Sequence, residues 1–201
     1  MTWRIGLYGG SFDPPHLAHL ALARLARDRL GLDELRWQPA GQPWQKAGRL
    51  VASGRQRVAM LHLLTQDEPG FVIDTCELER VGPSYTIDTL REVAAERPGA
   101  QLFLVIGADQ FARLDTWKEA GDIARLATLA VAAREGQAAL PPVKWPGPPL
   151  AWQELPLPRI DISATEVRRR AAAGEPVSPL VGEAVAGYID QQHLYRAAPG
   201  Q

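Results

Sequence analysis

The sequence predicts an α/β fold, with helices on both faces of a parallel sheet, in a single domain spanning residues 1–201. Short apolar runs, typical of buried strands, alternate with longer segments whose apolar residues recur at helical spacing. The run at residues 101–106, with Leu-Phe-Leu-Val-Ile at its centre, has the composition of a strand buried on both faces. Because strands that alternate with helices pair in parallel through crossovers, this order favours a doubly wound sheet.

The first half of the chain contains three predicted strands and three predicted helices. Gly31 ends the first helix, and the capping box Ser53-Gly54-Arg55-Gln56 begins the second. Pro98-Gly99 ends the third helix. The strands are predicted at residues 3–8, 34–38 and 71–74. The helices are predicted at residues 17–30, from the capping box at residue 53 to about residue 65, and at residues 86–96.

The second half continues the alternation. It predicts one helix over residues 111–126, with a break near Gly121, and a last helix over residues 179–192. Between them, the capping box Ser163-Ala164-Thr165-Glu166 begins a helix that stops at Gly174. Residues 141–149 are rich in proline and glycine and must form a loop. Strands are predicted at residues 101–106, 128–133 and 152–155.

The composition limits the classes of partner. With 22 Lys and Arg against 23 Asp and Glu, the net charge of −1 argues against general binding to nucleic acid or to a membrane surface. No segment is apolar over the roughly 20 residues of a membrane helix, and the N-terminus leads into a strand instead of a signal region. Cys76 is the single cysteine, which excludes an internal disulfide and fits a reducing compartment. We therefore expect a cytoplasmic protein.

Residues 9–19 follow the first predicted strand and combine a glycine turn, two prolines and two histidines. Because proline suits a first helical turn, we expect the next helix to begin at Pro14 or Pro15. A helix N-terminus offers free N–H groups and partial positive charge, so it favours anions. His16 and His19 would share one helix face near that end. This pattern favours a nucleotide phosphate site over the alternative of two solvated histidines beside a tight turn.

Several motifs resemble those of a known family. His16-Leu17-Ala18-His19 is similar to the His-x-Gly-His phosphate signature of the nucleotidyltransferase superfamily, with alanine at the usual glycine position. The others are Gly82-Pro83-Ser84-Tyr85-Thr86-Ile87-Asp88-Thr89-Leu90, Ile106-Gly107-Ala108-Asp109-Gln110-Phe111, Trp117 and Ile162-Ser163-Ala164-Thr165-Glu166-Val167-Arg168. Together they resemble the bacterial nicotinate-nucleotide adenylyltransferase family, from about Arg4 to about Tyr195.

The resemblance implies a Rossmann-like fold of nucleotidyltransferase type and an enzyme of NAD biosynthesis. Family members transfer the adenylyl group of ATP to nicotinate mononucleotide, giving nicotinate adenine dinucleotide and pyrophosphate, with magnesium. The ATP phosphates themselves would be the main ligands of Mg²⁺, so no residue is assigned to a metal. Since the acceptor phosphate attacks the α-phosphorus directly, catalysis needs positioning and charge stabilisation rather than a protein nucleophile.

For ATP, the resemblance assigns the histidines as donors to the phosphates and to the charge that develops on them. Ser163 and Arg168, at a second predicted helix start, form a second anion cradle. Arg168 alone would more often be a solvated helix charge, and Asp109 either meets ribose hydroxyls or caps the next helix. The residues assigned to ATP are Gly9, Gly10, Ser11, Phe12, His16, His19, Gly107, Asp109, Arg134, Ile162, Ser163 and Arg168. Catalysis is assigned to His16, His19, Lys46 and Arg168.

For nicotinate mononucleotide, the resemblance assigns Ser11, Lys46, Ser84, Tyr85, Thr86 and Trp117. The amides of Tyr85 and Thr86 would receive the nicotinate carboxylate, which gains more from a helix N-terminus than an amide does. Thr86 is also expected to cap that helix. Trp117 would stack on the pyridine ring, although a helical tryptophan is more often a packing residue.

The loop around Lys46 departs from the family pattern. Members usually have His before this basic residue and Asn near position 40, where this chain has Gln45 and Ala40. Glutamine forms hydrogen bonds but carries no charge, and alanine removes a side-chain contact. Lys46 itself remains a candidate phosphate contact or a solvated loop residue.

Other charges have plainer expected roles. Arg55 and Arg57 are predicted to be surface or helix-end charges. Asp13 is predicted to stabilise its turn instead of holding a metal.

Two other functions stay open at this point. One is a sister adenylyltransferase that uses nicotinamide mononucleotide or phosphopantetheine, which the pocket around residues 84–86 and Trp117 would distinguish. The other is a catalytically inactive nucleotide sensor. The intact histidines and the intact second cradle in this sequence argue against an inactive sensor.

Overall fold

Six strands form one parallel sheet in the order β3-β2-β1-β4-β5-β6. The computed structural model describes residues 2–42, 51–134 and 138–196, without the side chain of Arg134. The strands are β1 (Arg4–Gly10), β2 (Glu34–Pro39), β3 (Phe71–Ile73), β4 (Gln101–Gly107), β5 (Ala127–Arg134) and β6 (Trp152–Leu157). The strand order reverses between β1 and β4, so the crevice beyond their carboxyl ends is where such sheets bind ligands.

Helices cover both faces of the sheet, as predicted. They are α1 (Leu17–Leu30), α2 (Gly54–Thr65), α3 (Cys76–Glu79), α4 (Thr86–Glu96), α5 (Ala108–Phe111), α6 (Ala120–Leu126), α7 (Ala164–Ala172), α8 (Ser178–Val181) and α9 (Glu183–Gln191). Alternate residues of β4 enter opposite cores: Phe103 and Val105 pack with α1, α2 and α7–α9, whereas Leu104 and Ile106 pack with α4–α6. In the described ranges, no helix is both long enough and apolar enough to traverse a bilayer.

The predicted helix boundaries at Gly31 and Ser53 are confirmed. Gly31 closes α1 with a φ of 56°, a left-handed conformation that suits glycine. Ser53 caps α2 in a reciprocal box with Gln56. At α7 only half of the predicted box forms, because Ser163 Oγ accepts from the Glu166 amide while the Glu166 carboxylate binds Arg169 and Arg170 instead.

The prediction that α1 begins at a proline is wrong. His16, with extended backbone angles, is its N-cap, and Leu17 is the first helical residue. Pro14 and Pro15 precede the helix, and the Asp13–Pro14 peptide is cis. The physical reason is that a residue followed by proline is pushed out of the helical region, which makes two successive prolines a poor helix start.

Two predicted long helices are each divided. Residues 111–126 contain the end of α5, a 3₁₀ turn at Leu114–Thr116 and then α6, because Trp117 has extended backbone angles and Glu119 has a φ of 50°. The break therefore precedes Gly121, which lies inside α6. Residues 179–192 are divided between α8 and α9 by Gly182, whose φ of 83° and ψ of 159° no helix accommodates.

The sheet ends at β6, an edge strand that pairs with β5. It is longer than predicted and includes Pro156, a residue compatible with an edge position. The predicted loop at residues 141–149 is confirmed, since no helix or strand occurs there.

Candidate functional site

Two concavities lie side by side at the carboxyl edge of the sheet. The first, here called the histidine cleft, has a volume of about 460 Å³ and is lined by Gly10, Ser11, Phe12, Asp13, His16, His19, Ile162, Ser163, Ala164, Thr165 and Arg168. The second, the tryptophan pocket, has a volume of about 240 Å³ and contains Trp117. Gly10 and Ser11 line both, so a ligand that passes over the end of β1 reaches both.

The two histidines lie against each other at the start of α1. Their rings stack with centroids 3.6 Å apart and an interplanar angle of 17°. The His16 amide donates to His19 Nδ1 over 3.2 Å, which leaves the proton of a neutral His19 ring on Nε2. The ring of Phe12 meets His19 edge-on at 5.1 Å. The predicted proximity is confirmed, although only His19 is helical and His16 is the cap.

Burial controls the charge of His16. The residue is 6% exposed, and this desolvation lowers its pKa from 6.5 to about 4. At neutral pH its imidazole is therefore uncharged and acts as a hydrogen-bonding group rather than as a cation. The fixed positive charge of the cleft comes from Arg168.

Helix α7 brings the second predicted cradle to the same cleft. Arg168 donates from Nη1 to the Asp13 carbonyl over 2.7 Å and from Nη2 to Thr165 Oγ1 over 3.3 Å. Ser163 caps α7, so the free amides of its first turn lie at the cleft. Arg168 is thus tied to the turn after β1 and is not a freely solvated helix charge.

The tryptophan pocket receives the start of α4. Tyr85 is the N-cap and Thr86 is the first helical residue, so the prediction that Thr86 caps this helix is wrong. Thr86 and Trp117 both line the pocket, and the indole Nε1 of Trp117 is buried without a hydrogen-bond partner within the described part of the chain. Ser84 Oγ accepts from the amides of Gly41 (3.0 Å) and Gln42 (3.2 Å) and so fixes the chain after β2 beside the pocket.

Two buried polar residues that line this pocket are not predicted from the sequence. Gln38, near the carboxyl end of β2, is 3% exposed, and the rule that ligands bind beyond strand ends would have found it. Glu77 is 7% exposed and accepts from Thr89 Oγ1 over 3.0 Å, and burial raises the pKa of its carboxyl. Glu77 lies on α3, a helix with no signal in the sequence pattern.

Other predicted residues lie elsewhere. Gly9 and Gly107, assigned to ATP, line the tryptophan pocket instead of the histidine cleft. Asp109 is exposed on α5 and lines neither concavity, and it does not cap the helix, because Gly107 does. Tyr85 has the Lys118 ammonium 4.5 Å from its ring centroid. Lys46 and Gln45 lie outside the described residues, as does the side chain of Arg134 at the end of β5.

The prediction that Arg57 is a surface or helix-end charge is wrong about the surface, although the residue does lie in the first turn of α2. Its side chain is buried, with 1% exposure, and donates to the carbonyls of Ser11 (2.7 Å) and Ala40 (2.8 Å). An arginine buried this way needs acceptors, and two strand-end carbonyls supply them. Arg55 is exposed, as predicted.

Asp13 stabilises its turn, as predicted. Its carboxylate accepts from the amides of Val51 and Ala52 and from the Tyr195 hydroxyl. Among the residues that the structure describes, no group of three or more histidine, cysteine, aspartate or glutamate side chains could hold a metal ion.

Comparison with known proteins adds independent information. A model of the cytidylyltransferase-like family matches residues 7–170. A probable nicotinate-nucleotide adenylyltransferase of Methylibium petroleiphilum is 47% identical, over 98% of this chain and 94% of its own. One of the same description from Chromobacterium violaceum is 43% identical, over 98% and 100%. The fold is similar to a nicotinic acid mononucleotide adenylyltransferase of Plasmodium falciparum complexed with NaAD, with a TM-score of 0.75, 18% identity and coverage of 96% and 97%.

Proposed function

Because the chain belongs to the nicotinate-nucleotide adenylyltransferases, within the cytidylyltransferase-like family, we propose that it transfers the adenylyl group of ATP to nicotinate mononucleotide. The products are nicotinate adenine dinucleotide and pyrophosphate, and the enzyme acts in NAD biosynthesis. One structural observation supports this reaction above all: a donor-rich cleft and a ring-sized pocket meet at Gly10 and Ser11. A reaction between two bound phosphate groups needs such a junction.

In the histidine cleft, the triphosphate of ATP meets donors and, among the described lining residues, no free carboxylate. His16 and His19 donate hydrogen bonds to phosphate oxygens, and the amides at the starts of α1 and α7 add to them. Arg168 carries the positive charge that offsets the charge on the departing pyrophosphate. Because these groups are already held in place, they need little reorganisation as charge develops.

In the tryptophan pocket, the pyridine ring packs against Trp117 and its carboxylate faces the start of α4. Thr86, the first residue of the 11-residue helix α4, lines this pocket. The free amides of the first helical turn therefore lie beside it. A carboxylate gains from the positive end of a helix, and a neutral amide gains less. This difference would make the enzyme prefer the acid mononucleotide.

Magnesium would enter with ATP and be held mainly by phosphate oxygens, where it would neutralise charge on the leaving pyrophosphate. The residues of the histidine cleft fit a nucleotide-borne ion. They are mostly donors, and Asp13, the acidic residue in the described lining, already accepts from three donors. The chain's own contribution is to hold the phosphates that carry the ion.

An assay of pyrophosphate release tests the proposal. ATP is supplied with nicotinate mononucleotide, nicotinamide mononucleotide or phosphopantetheine, and we expect turnover to be clearly fastest with the acid. Equal rates with acid and amide would remove the role given to the α4 amides. Turnover with phosphopantetheine alone would overturn the acceptor assignment. We place the enzyme and its small-molecule substrates in the cytoplasm, where the single cysteine would stay reduced.

A further inference from the structure

Two segments that are distant in sequence, residues 51–52 and Tyr195, converge on the side chain of Asp13. The amide of Val51 donates to its Oδ2 over 2.7 Å, and the amide of Ala52 donates to Oδ1 over 3.1 Å. Tyr195, 182 residues away, donates its hydroxyl to Oδ1 over 2.7 Å. Asp13 is 3% exposed and Tyr195 is 8% exposed, so this hydrogen bond is shielded from solvent.

The backbone of the same aspartate holds a residue of the proposed active site. The Asp13 carbonyl accepts from Arg168 Nη1 over 2.7 Å, while Arg57 holds the carbonyl of Ser11 just upstream. The turn after β1 is therefore fixed at its side chain by Tyr195 and by residues 51–52. On its other side it presents an acceptor that orients the Arg168 guanidinium.

The backbone is unusual at Tyr195 and at Phe12, the residue that precedes Asp13. Phe12 has a φ of 46° and Tyr195 has a φ of 61°, in the left-handed region that aromatic residues rarely adopt. Such conformations persist when surrounding contacts fix them, and they concentrate at functional sites. The Tyr195–Asp13 hydrogen bond is one of the contacts that could do so.

The geometry points to Tyr195 and Asp13 as positioning residues for adenylyl transfer, acting through Arg168. Tyr195 holds the Asp13 carboxylate, the Asp13 carbonyl holds the guanidinium, and the guanidinium faces the phosphates. This inference rests on the proposed function. Neither residue touches the reacting atoms, so their effect is on the orientation of Arg168 and not on the binding of the pyridine ring.

The Tyr195→Phe variant deletes one oxygen and keeps the ring packing. Because small misplacements of a catalytic group slow reactions strongly, we expect kcat to fall about tenfold while KM for nicotinate mononucleotide changes less than about twofold. Tyr188→Phe, the same change at a partly buried tyrosine of α9 that lines neither concavity, is the matched control and should keep wild-type kcat. Melting temperatures confirm that all variants are folded at the assay temperature.

A double-mutant cycle separates positioning from a general structural role. In an Arg168→Ala background, Tyr195→Phe should lower kcat by less than about a further twofold, because the group it positions is gone. A full tenfold loss in that background would overturn the inference, and so would wild-type kcat in the single variant. A fall in kcat matched by Tyr188→Phe would also overturn it.

Binding of inorganic pyrophosphate gives a readout that does not depend on the acceptor. By calorimetry, Tyr195→Phe should weaken pyrophosphate binding and Tyr188→Phe should not. If the wild type bound pyrophosphate but turned over a different acceptor, the proposed function would be wrong. The pyrophosphate measurement would still test whether Tyr195 positions Arg168. Unchanged pyrophosphate affinity in Tyr195→Phe would count against the positioning role.

Discussion

The histidine cleft and the tryptophan pocket share Gly10 and Ser11 but are assembled differently. The cleft consists of one turn and two helix starts, held by hydrogen bonds to main-chain groups. The pocket depends on side chains from four separate segments, which contribute Gln38, Glu77, Ser84 with Thr86, and Trp117. Phosphate binding through amides can therefore be encoded in two short motifs, each at a helix start, whereas a ring pocket requires several distant residues to pack together.

The largest effect is expected in the cleft. His16→Ala and His19→Ala should each lower kcat roughly 10²–10³-fold, the usual loss when one preorganised donor to a developing charge is removed. Pyrophosphate release measures the loss, and circular dichroism checks the fold. His62→Ala, at an exposed histidine of α2, is the matched control and should leave kcat unchanged. Near-normal turnover in both cleft variants would show that the imidazoles have no catalytic role.

The second prediction concerns how the free energy of unfolding depends on pH. One buried residue in each region contributes to this dependence, and the two contributions have opposite signs. Because the folded-state pKa of His16 is about 4, the unfolded chain takes up a proton between pH 6.5 and 4 that the native protein does not. The free energy of unfolding should thus fall as the pH falls through this window, by up to about 3 kcal/mol from this residue. Denaturant unfolding of wild type and His16→Gln across this range measures the difference.

Glu77 in the tryptophan pocket provides the contrast. Its raised pKa means that the unfolded chain loses the proton first, so its contribution to stability is present at low pH and is lost as the pH rises above its ordinary value of 4.5. In Glu77→Gln, stability should fall less than in wild type as the pH rises. Parallel curves for wild type and both variants would contradict the assigned burial effects.

The smallest effect is expected from the aromatic wall of the pocket. Trp117→Ala should raise KM for nicotinate mononucleotide about tenfold, since stacking on an aromatic side chain is worth about 1–3 kcal/mol. KM for ATP should stay within about twofold, because Trp117 does not line the histidine cleft. Trp117→Phe should retain most of the affinity. Trp3→Ala, at a half-exposed tryptophan outside both concavities, is the control. Equal changes in both KM values would show that the two regions are not separate binding units.

Features of the fold and of the candidate site that depend on short local motifs are predicted well from the sequence. The strand–turn–helix pattern at residues 9–19 and the segment after the central strand predict the edge of the sheet at which both concavities lie, because parallel strands end at the same edge. The proximity of His16 and His19 is predicted from their spacing, whereas the stacking of their rings is not. Helix ends with local signals, such as Gly31 and Ser53, were found for the same reason: their partners lie within a few residues.

What sequence reasoning missed depends on distant partners. The sequence predicts Arg57 as a surface or helix-end charge, because nothing near it in sequence reveals that carbonyls 46 and 17 residues away accept its hydrogen bonds. The link between Tyr195 and Asp13 spans 182 residues and has no local pattern either. A break in the helix before β5 is predicted near Gly121, but its actual place before α6 depends on the extended backbone of Trp117, for which helical periodicity carries no signal.

Proline at the outermost strand has a consequence for self-association. An exposed strand edge invites backbone pairing with another chain, and proteins often block it with residues that lack a donor. Pro156 has no amide hydrogen, so a seventh strand laid along β6 would face an interrupted ladder. Pro156 thereby opposes edge-to-edge pairing along β6. The ligand-binding side, at the carboxyl ends of the strands, is unaffected.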